Sequence, residues 1–279
     1  MWCEEFAELW LKHVKGTHFI HPSFTDKSSY ADLVVANFDS FSGLVEGLLF
    51  CTSNEDSDIV KLTIHAWYQI SDHILELDNS AIVGKQFFNI YKSLVSILIN
   101  FMKYPSDHST MSAQDRDEFR EFRHDLGDIL KDCVRVLGEE AALEIPYLLL
   151  QRFFGLDAQA SQSIVWQEVE APLFSLRVMC REVSEKESRF VPEIMGMLPK
   201  LPQHPKVTYA AILVIGRYAQ WSNHHPELLT YQLDFVSKGF QGDKDTTIAA
   251  AHAFRDLCKY CNKVSFMISI VFNVSISTL

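Results

Sequence analysis

One amphipathic helix pattern returns along this chain, and that recurrence limits the possible folds more than any bulk property does. Between Asp58 and Ile74, apolar residues fall at Val60, Ile64, Trp67, Ile70 and Ile74. Steps of three and four draw one stripe down a helix. Lys61, His65, Gln69, Asp72 and Glu76 draw the opposite, polar stripe. Pro205–Trp221 repeats the design with Val207, Ala211, Val214, Tyr218 and Trp221. Thr246–Cys261 repeats it again, with an expected stripe of Ile248, Ala251, Phe254, Cys258 and Cys261. Helices of this length are marginal alone in water, so each must bury its stripe on a neighbour. A row of helix pairs that do this is a solenoid, and solenoids generally work by binding.

The period sharpens the fold class. Pro205 and Asp245 open two copies 40 residues apart. HEAT and armadillo units run to roughly 40–47 residues, against 34 for tetratricopeptide units. The expected fold is therefore all-α, a HEAT/armadillo-type superhelix of antiparallel helix pairs, in preference to a compact helical bundle. Further helices are expected over Trp2–Val14, Tyr30–Cys51, Asp56–Leu77, Ala81–Lys103, Glu140–Phe154, Ala160–Val183, Arg189–Leu201 and Pro226–Phe240. The cleanest runs from Gln114 to Gly138, where Phe119, Phe122, Leu126, Ile129, Cys133 and Val136 line one face and Gly138 supplies a stop. Asp56 and Ser57 are candidate N-caps. Pro192, Pro202, Pro205 and Pro226 sit at starts and junctions, where proline is tolerated. Residues 104–113 are polar, contain Pro105, and are expected to be a disordered loop.

Composition excludes several classes. With 25 basic and 36 acidic residues the net charge is −11, which lacks the basic footprint of a nucleic-acid binder. An acidic surface suits basic protein partners. The 11 glycines and 9 prolines are too few for a turn-rich β protein of 279 residues. The six cysteines follow no secreted framework and are expected to be reduced. The first residues lack the basic and apolar regions of a signal peptide. Val264–Leu279 carries no charge and favours strand over helix, yet is short and polar for a membrane span.

Catalytic and cofactor patterns are missing. No Gly-rich phosphate loop, His-Glu-x-x-His or Gly-x-Ser-x-Gly is present. Cys258-x-x-Cys261 is the one metal-like spacing, but a structural zinc takes four ligands and only His252 is near. Both thiols are expected to pack in the core. His224-His225 and the carboxylates Glu182, Glu185 and Glu187 are expected to be solvated. Trp67, Tyr68, Trp166, Phe174, Tyr218 and Trp221 fit either a core or a peptide-binding ladder, and helical spacing favours core. No enzyme activity, metal, cofactor, direct nucleic-acid or membrane contact is expected.

Five segments, in order, resemble one family. Asp58-Ile-Val-Lys-Leu-Thr-Ile-His-Ala-Trp-Tyr-Gln-Ile-Ser-Asp-His-Ile74 is similar to a characteristic helix of the transportin-SR branch of the importin-β (karyopherin) superfamily. Asp117-Glu-Phe-Arg-Glu-Phe-Arg-His-Asp-Leu-Gly-Asp-Ile-Leu-Lys-Asp-Cys133 is similar to a second, and there too the helix follows a long polar loop. Residues 167–174, 198–205 and 249–261 continue the series. The resemblance covers residues 30–262, more weakly from residue 2, and corresponds to a middle section of much longer proteins. It implies a HEAT superhelix that imports Ser/Arg-rich RNA-binding proteins, contacts nucleoporins, releases cargo on binding the Ran GTPase as Ran-GTP, and shuttles between nucleus and cytoplasm.

Residues 1–262 are accordingly expected to be HEAT-like repeats. Residues 263–279 depart from the family, and Val264-Ser265 is what the splice-donor sequence GUAAGU encodes, so intron read-through or a gene-model artefact is the expected origin of this tail. Second helices of each pair would line a concave face. The candidate partner contacts are Lys61, His65, Gln69 and His73, with Arg120 and Arg123; ordinary solvated surface and pairing within the helix are the competing explanations. A HEAT scaffold or adaptor without a transport role, and a non-functional fragment, are the alternatives.

Overall fold

A computed structural model describes residues 34–78, 80–153, 165–202 and 204–261. Among the described residues every regular element is helical. The expected helix over Trp2–Val14, the opening of the one at Tyr30 and the tail 264–279 lie outside them. The chain divides into two compact units, Met1–Ala142 and Leu143–Leu279, and each is described by itself.

The first unit holds α1 (Phe38–Thr52), α2 (Ser57–Glu76), α3 (Ser80–Phe101) and α4 (Ala113–Leu137). Helices α1 and α2 form one pair and α3 and α4 the next; α1 packs on α3, and α2 on α4. First helix therefore lies on first helix, and second on second, as in a helical repeat. The stripe read on α2 is largely the buried one: Val60, Trp67, Ile70 and Ile74 are inside. Trp67 meets Tyr91 edge-on at 5.8 Å, and Tyr91 meets Phe87 at 6.2 Å. Their polar ends are satisfied, as buried aromatics require. The Trp67 indole donates to Thr52 Oγ1 at 2.8 Å, and Ser71 and Tyr91 share a hydrogen bond of 2.8 Å.

Local chemistry sets the helix ends. Asp56 caps α2 by accepting from the Asp58 amide. Ser112 and Asp115 cap α4 reciprocally, each side chain accepting from the other's backbone N–H at 3.1 and 3.2 Å. Gly138 ends α4 at φ 84°, the left-handed region only glycine enters freely. The segment before α4 corrects the expectation of disorder. Residues 106–110 form successive turns, and just before them Tyr104 packs on Phe119 at 5.3 Å and lies under the Arg123 guanidinium at 4.4 Å. An aromatic anchor and a cation on its face outweigh the polar composition.

Helix α5 (Glu139–Gln151) contains the division between the units. The second unit continues with α6 (Trp166–Met179), α7 (Val191–Met197), a 3-10 turn at Leu198–Lys200, and α8 (Pro205–Arg217). Next come α9 (Ala219–His224), α10 (Leu229–Lys238), a 3-10 turn at Gly239–Gln241, and α11 (Lys244–Tyr260). Helix α8 packs on both α6 and α11, while α10 lies against α8 and α11. The first residues of α8 and α11, Pro205 and Lys244, are 39 residues apart, close to the period read from sequence. Pro205 opens its helix as expected, whereas Pro146 and Pro172 lie inside α5 and α6. The continuous helix expected to Trp221 breaks at Tyr218 (φ −89°, ψ 17°).

The stripe expected for α11 needs correction. Ile248 is 46% exposed and Ala251 is exposed, while Cys258 is half-buried. The buried line is Thr246, Ala249, Ala250, Ala253 and Leu257, with Cys261 beyond it. The cause is close helix approach: a Cβ placed on Gly216 of α8 would lie 2.9 Å from the Ala253 Cα. Small side chains let the backbones meet, so the alanines turn inward and the larger Ile248 turns out. Of the three glutamates, Glu185 is exposed as expected, whereas Glu187 is 4% exposed, not solvated.

Candidate partner-binding surface

The candidate residues on α2 follow one another every fourth position, so they form a slowly turning line along the helix, about 18 Å from Lys61 to His73. They point away from the Val60–Trp67–Ile74 stripe. Lys61 and His65 are exposed, while Gln69 and His73 are half-buried. Lys61 Nζ lies 2.8 Å from Asp58 Oδ1 and 5.8 Å from the Phe122 ring of α4. Gln69 Oε1 is buried and accepts no hydrogen bond from the described residues.

The two arginines on α4 have different surroundings. Arg120 is exposed and forms an ion pair of 3.0 Å with Asp117. Arg123 is 3% exposed, with its guanidinium over Tyr104 at 4.4 Å and Phe119 at 5.8 Å. Arg123 thus stabilises the turn before α4 and offers little surface to a partner. Lys61 lines a depression, about 340 Å³ in volume, walled also by Lys103, Glu118, Phe119 and Phe122.

A larger groove, about 690 Å³, lies in the second unit, and the sequence reading missed it. Arg181, Arg217, Arg255 and Lys259 line it, together with the aromatic side chains of Tyr218 and Trp221. Tyr218 donates to Leu176 O at 3.1 Å and the Trp221 indole to Glu187 O at 2.7 Å, so the aromatic rings are fixed in place. Arg217 is the last residue of α8 and Lys259 lies in the last turn of α11, the end of a helix that favours cations. That recurrence of a cation in the last turn is the signal the sequence held.

Among the described residues no three His, Cys, Asp or Glu side chains converge on a metal position. Burial pushes the Cys261 thiol up to about 11, and its Sγ donates to Ala219 O at 3.2 Å. Burial likewise raises Cys258. Protonated, packed thiols are poor ligands. His225 stacks on Trp221 with ring centres 3.9 Å apart, and His224 lies 3.7 Å from Glu185. No described helix is long and apolar enough to cross a membrane.

Helix pairs stacked first on first and second on second define a helical-repeat protein. Residues 24–101 match the family model described as the transportin-3/importin-13 second TPR domain, and residues 188–273 match that of the third. The second match continues into the tail, as far as residue 273. The mRNA transport regulator MTR10 of Saccharomyces cerevisiae is 35% identical over 243 residues, covering 85% of this chain and 24% of that protein. Transportin MOS14 of Arabidopsis thaliana is 28% identical over 84% of this chain and 26% of its own length. Human importin-13 is 24% identical over 81% of this chain and 24% of its own. The chain belongs to the importin-β family of nuclear transport receptors and is not an enzyme. It spans about a quarter of the length of the curated relatives it matches.

Proposed function

We propose that this chain is a section of a nuclear import receptor of the transportin-SR branch, and that it works by holding protein partners against its second helices. The observation that carries the reading is the ordered match over most of the chain to MTR10, MOS14 and importin-13. The stacking of α2 on α4, and of α8 between α6 and α11, supports it by placing the second helices side by side. Their outward polar faces, among them Lys61, His65, Gln69 and Arg120, are the proposed contacts. The cargo is a Ser/Arg-rich protein, for which the net charge of −11 is favourable. Ran-GTP displaces it, nucleoporins carry the receptor, and the protein shuttles between nucleus and cytoplasm.

The test is a pulldown with the complete gene product. An immobilised Ser/Arg-rich protein should retain the receptor, and Ran-GTP should release it while Ran-GDP does not. Retention that is indifferent to Ran-GTP, together with no binding to nucleoporin repeats, would favour a scaffold or adaptor role instead.

A further inference from the structure

The groove of about 690 Å³ in the second unit has the opposite charge to the chain as a whole. We infer that it is a binding site for an acidic peptide segment, one carrying several Asp or Glu side chains. This inference stands independently of the transport reading.

Four cationic side chains, Arg181, Arg217, Arg255 and Lys259, line the groove against two carboxylates, Glu185 and Asp256. Local pairing does not use them up. Arg255 is engaged by Asp256 at 2.8 Å, and Glu185 faces His224 at 3.7 Å. Arg181 and Arg217 are exposed and have no ion-pair partner among the described residues. Two guanidinium groups free to take carboxylates in bidentate fashion are a specific arrangement, not a diffuse field. A positive site on an acidic molecule also concentrates anionic ligands from solution.

The floor is suited to a chain and not to an ion. Trp221 and Tyr218 are each 3% exposed and fixed by hydrogen bonds to backbone carbonyls. The helix contact beneath, Gly216 on Ala253, leaves no room to deform. A preformed floor lowers the ordering cost of binding. The groove is only partly enclosed, so an occupant keeps part of its surface in water, as an extended peptide does. The tail of this chain, Val264–Leu279, contains no Asp or Glu and does not supply the acidic side chains. The occupant in this proposal is a separate acidic polypeptide.

The experiment is fluorescence anisotropy with the intact chain and a short fluorescein-labelled peptide rich in Asp and Glu. A peptide of the same length rich in Lys and Arg is the control. The acidic peptide should bind, with affinity falling as salt rises. Arg181→Glu/Arg217→Glu should weaken it roughly tenfold or more, and Arg181→Gln/Arg217→Gln by an intermediate factor. Lys85→Glu/Lys238→Glu makes the same change of net charge away from the groove and should leave affinity within about twofold. Circular dichroism confirms that each variant is folded. No binding by the parent chain, equal loss in the Lys85/Lys238 variant, or preference for the basic peptide overturns the proposal. None of these outcomes bears on Ran-GTP release, which the pulldown reads separately.

Discussion

The indole N–H of Trp221 donates to the backbone carbonyl of Glu187 at 2.7 Å, joining positions 34 residues apart. The same glutamate uses its carboxylate in the other direction. Its Oε1 accepts from the amides of Arg189 and Phe190, each at 2.8 Å, and its Oε2 from Val191 at 2.7 Å. Glu187 thus closes the start of α7 with its side chain and anchors α9 with its backbone. A carboxylate at a helix start is favoured by the exposed amides and by the helix dipole.

Removing that carboxylate should be costly. Glu187→Ala leaves three backbone donors without their charged acceptor, and should lower unfolding stability by about 2–3 kcal/mol. Glu187→Gln keeps an acceptor oxygen and should lose roughly half as much. Chemical denaturation of both variants beside the parent checks this; a midpoint unchanged in Glu187→Ala contradicts the capping role.

Two glycines should respond to alanine with opposite signs. Gly216 faces Ala253 so closely that an added Cβ would lie 2.9 Å from its Cα. The backbones must part, and Gly216→Ala should cost about 1–3 kcal/mol despite the better helix propensity. Gly43, inside α1, has nothing within 4 Å of an added Cβ. Gly43→Ala should therefore stabilise by about 0.4–1 kcal/mol. Thermal midpoints of the pair decide it, since equal shifts would mean that close packing at Gly216 is not the cause.

The sequence disclosed more about fold than about surface, for a physical reason. Periodicity reports which face is buried whenever that face is made of large apolar residues, as with Val60, Trp67 and Ile74. It misreads α11, because a helix packed at short range buries alanines and displays Ile248. The glycine that permits the close approach, Gly216, is on a different helix, so nothing within α11 reveals it. The candidates on α2 were visible as a polar stripe, but polarity in the sequence does not separate an exposed charge such as Lys61 from a buried one such as Arg123. The groove in the second unit gathers Arg181, Arg217 and Arg255 from distant stretches, and only the packing of α6, α8 and α11 brings them together.

The reciprocal cap on α4 gives a local test. Ser112→Ala removes the acceptor for the Asp115 amide and should cost about 1 kcal/mol. Ser112→Asp restores an acceptor but places two carboxylates together, so it should recover stability only as salt is raised. Urea denaturation at low and high salt distinguishes the two; identical behaviour of both variants would show that the cap contributes nothing.

His204 gives the pH dependence. Its Nδ1 accepts from the Lys206 amide at 3.2 Å, capping α8, and its ring stacks on Trp166 at 5.2 Å. An acceptor nitrogen must be unprotonated. Burial, and then the nearby Lys206 charge, lower the pKa of His204 below its ordinary 6.5. The unfolded chain therefore takes up this proton more readily than the folded one. The contribution is complete above about 6.5 and is lost as pH falls from there through the lower folded value. His204→Asn keeps a good cap without the titration. The difference in thermal midpoint between parent and His204→Asn should favour the parent more at pH 7.5 than at pH 5.5, with other titrating groups cancelling. A difference that stays constant across that range would show that the imidazole does not cap α8 as an acceptor.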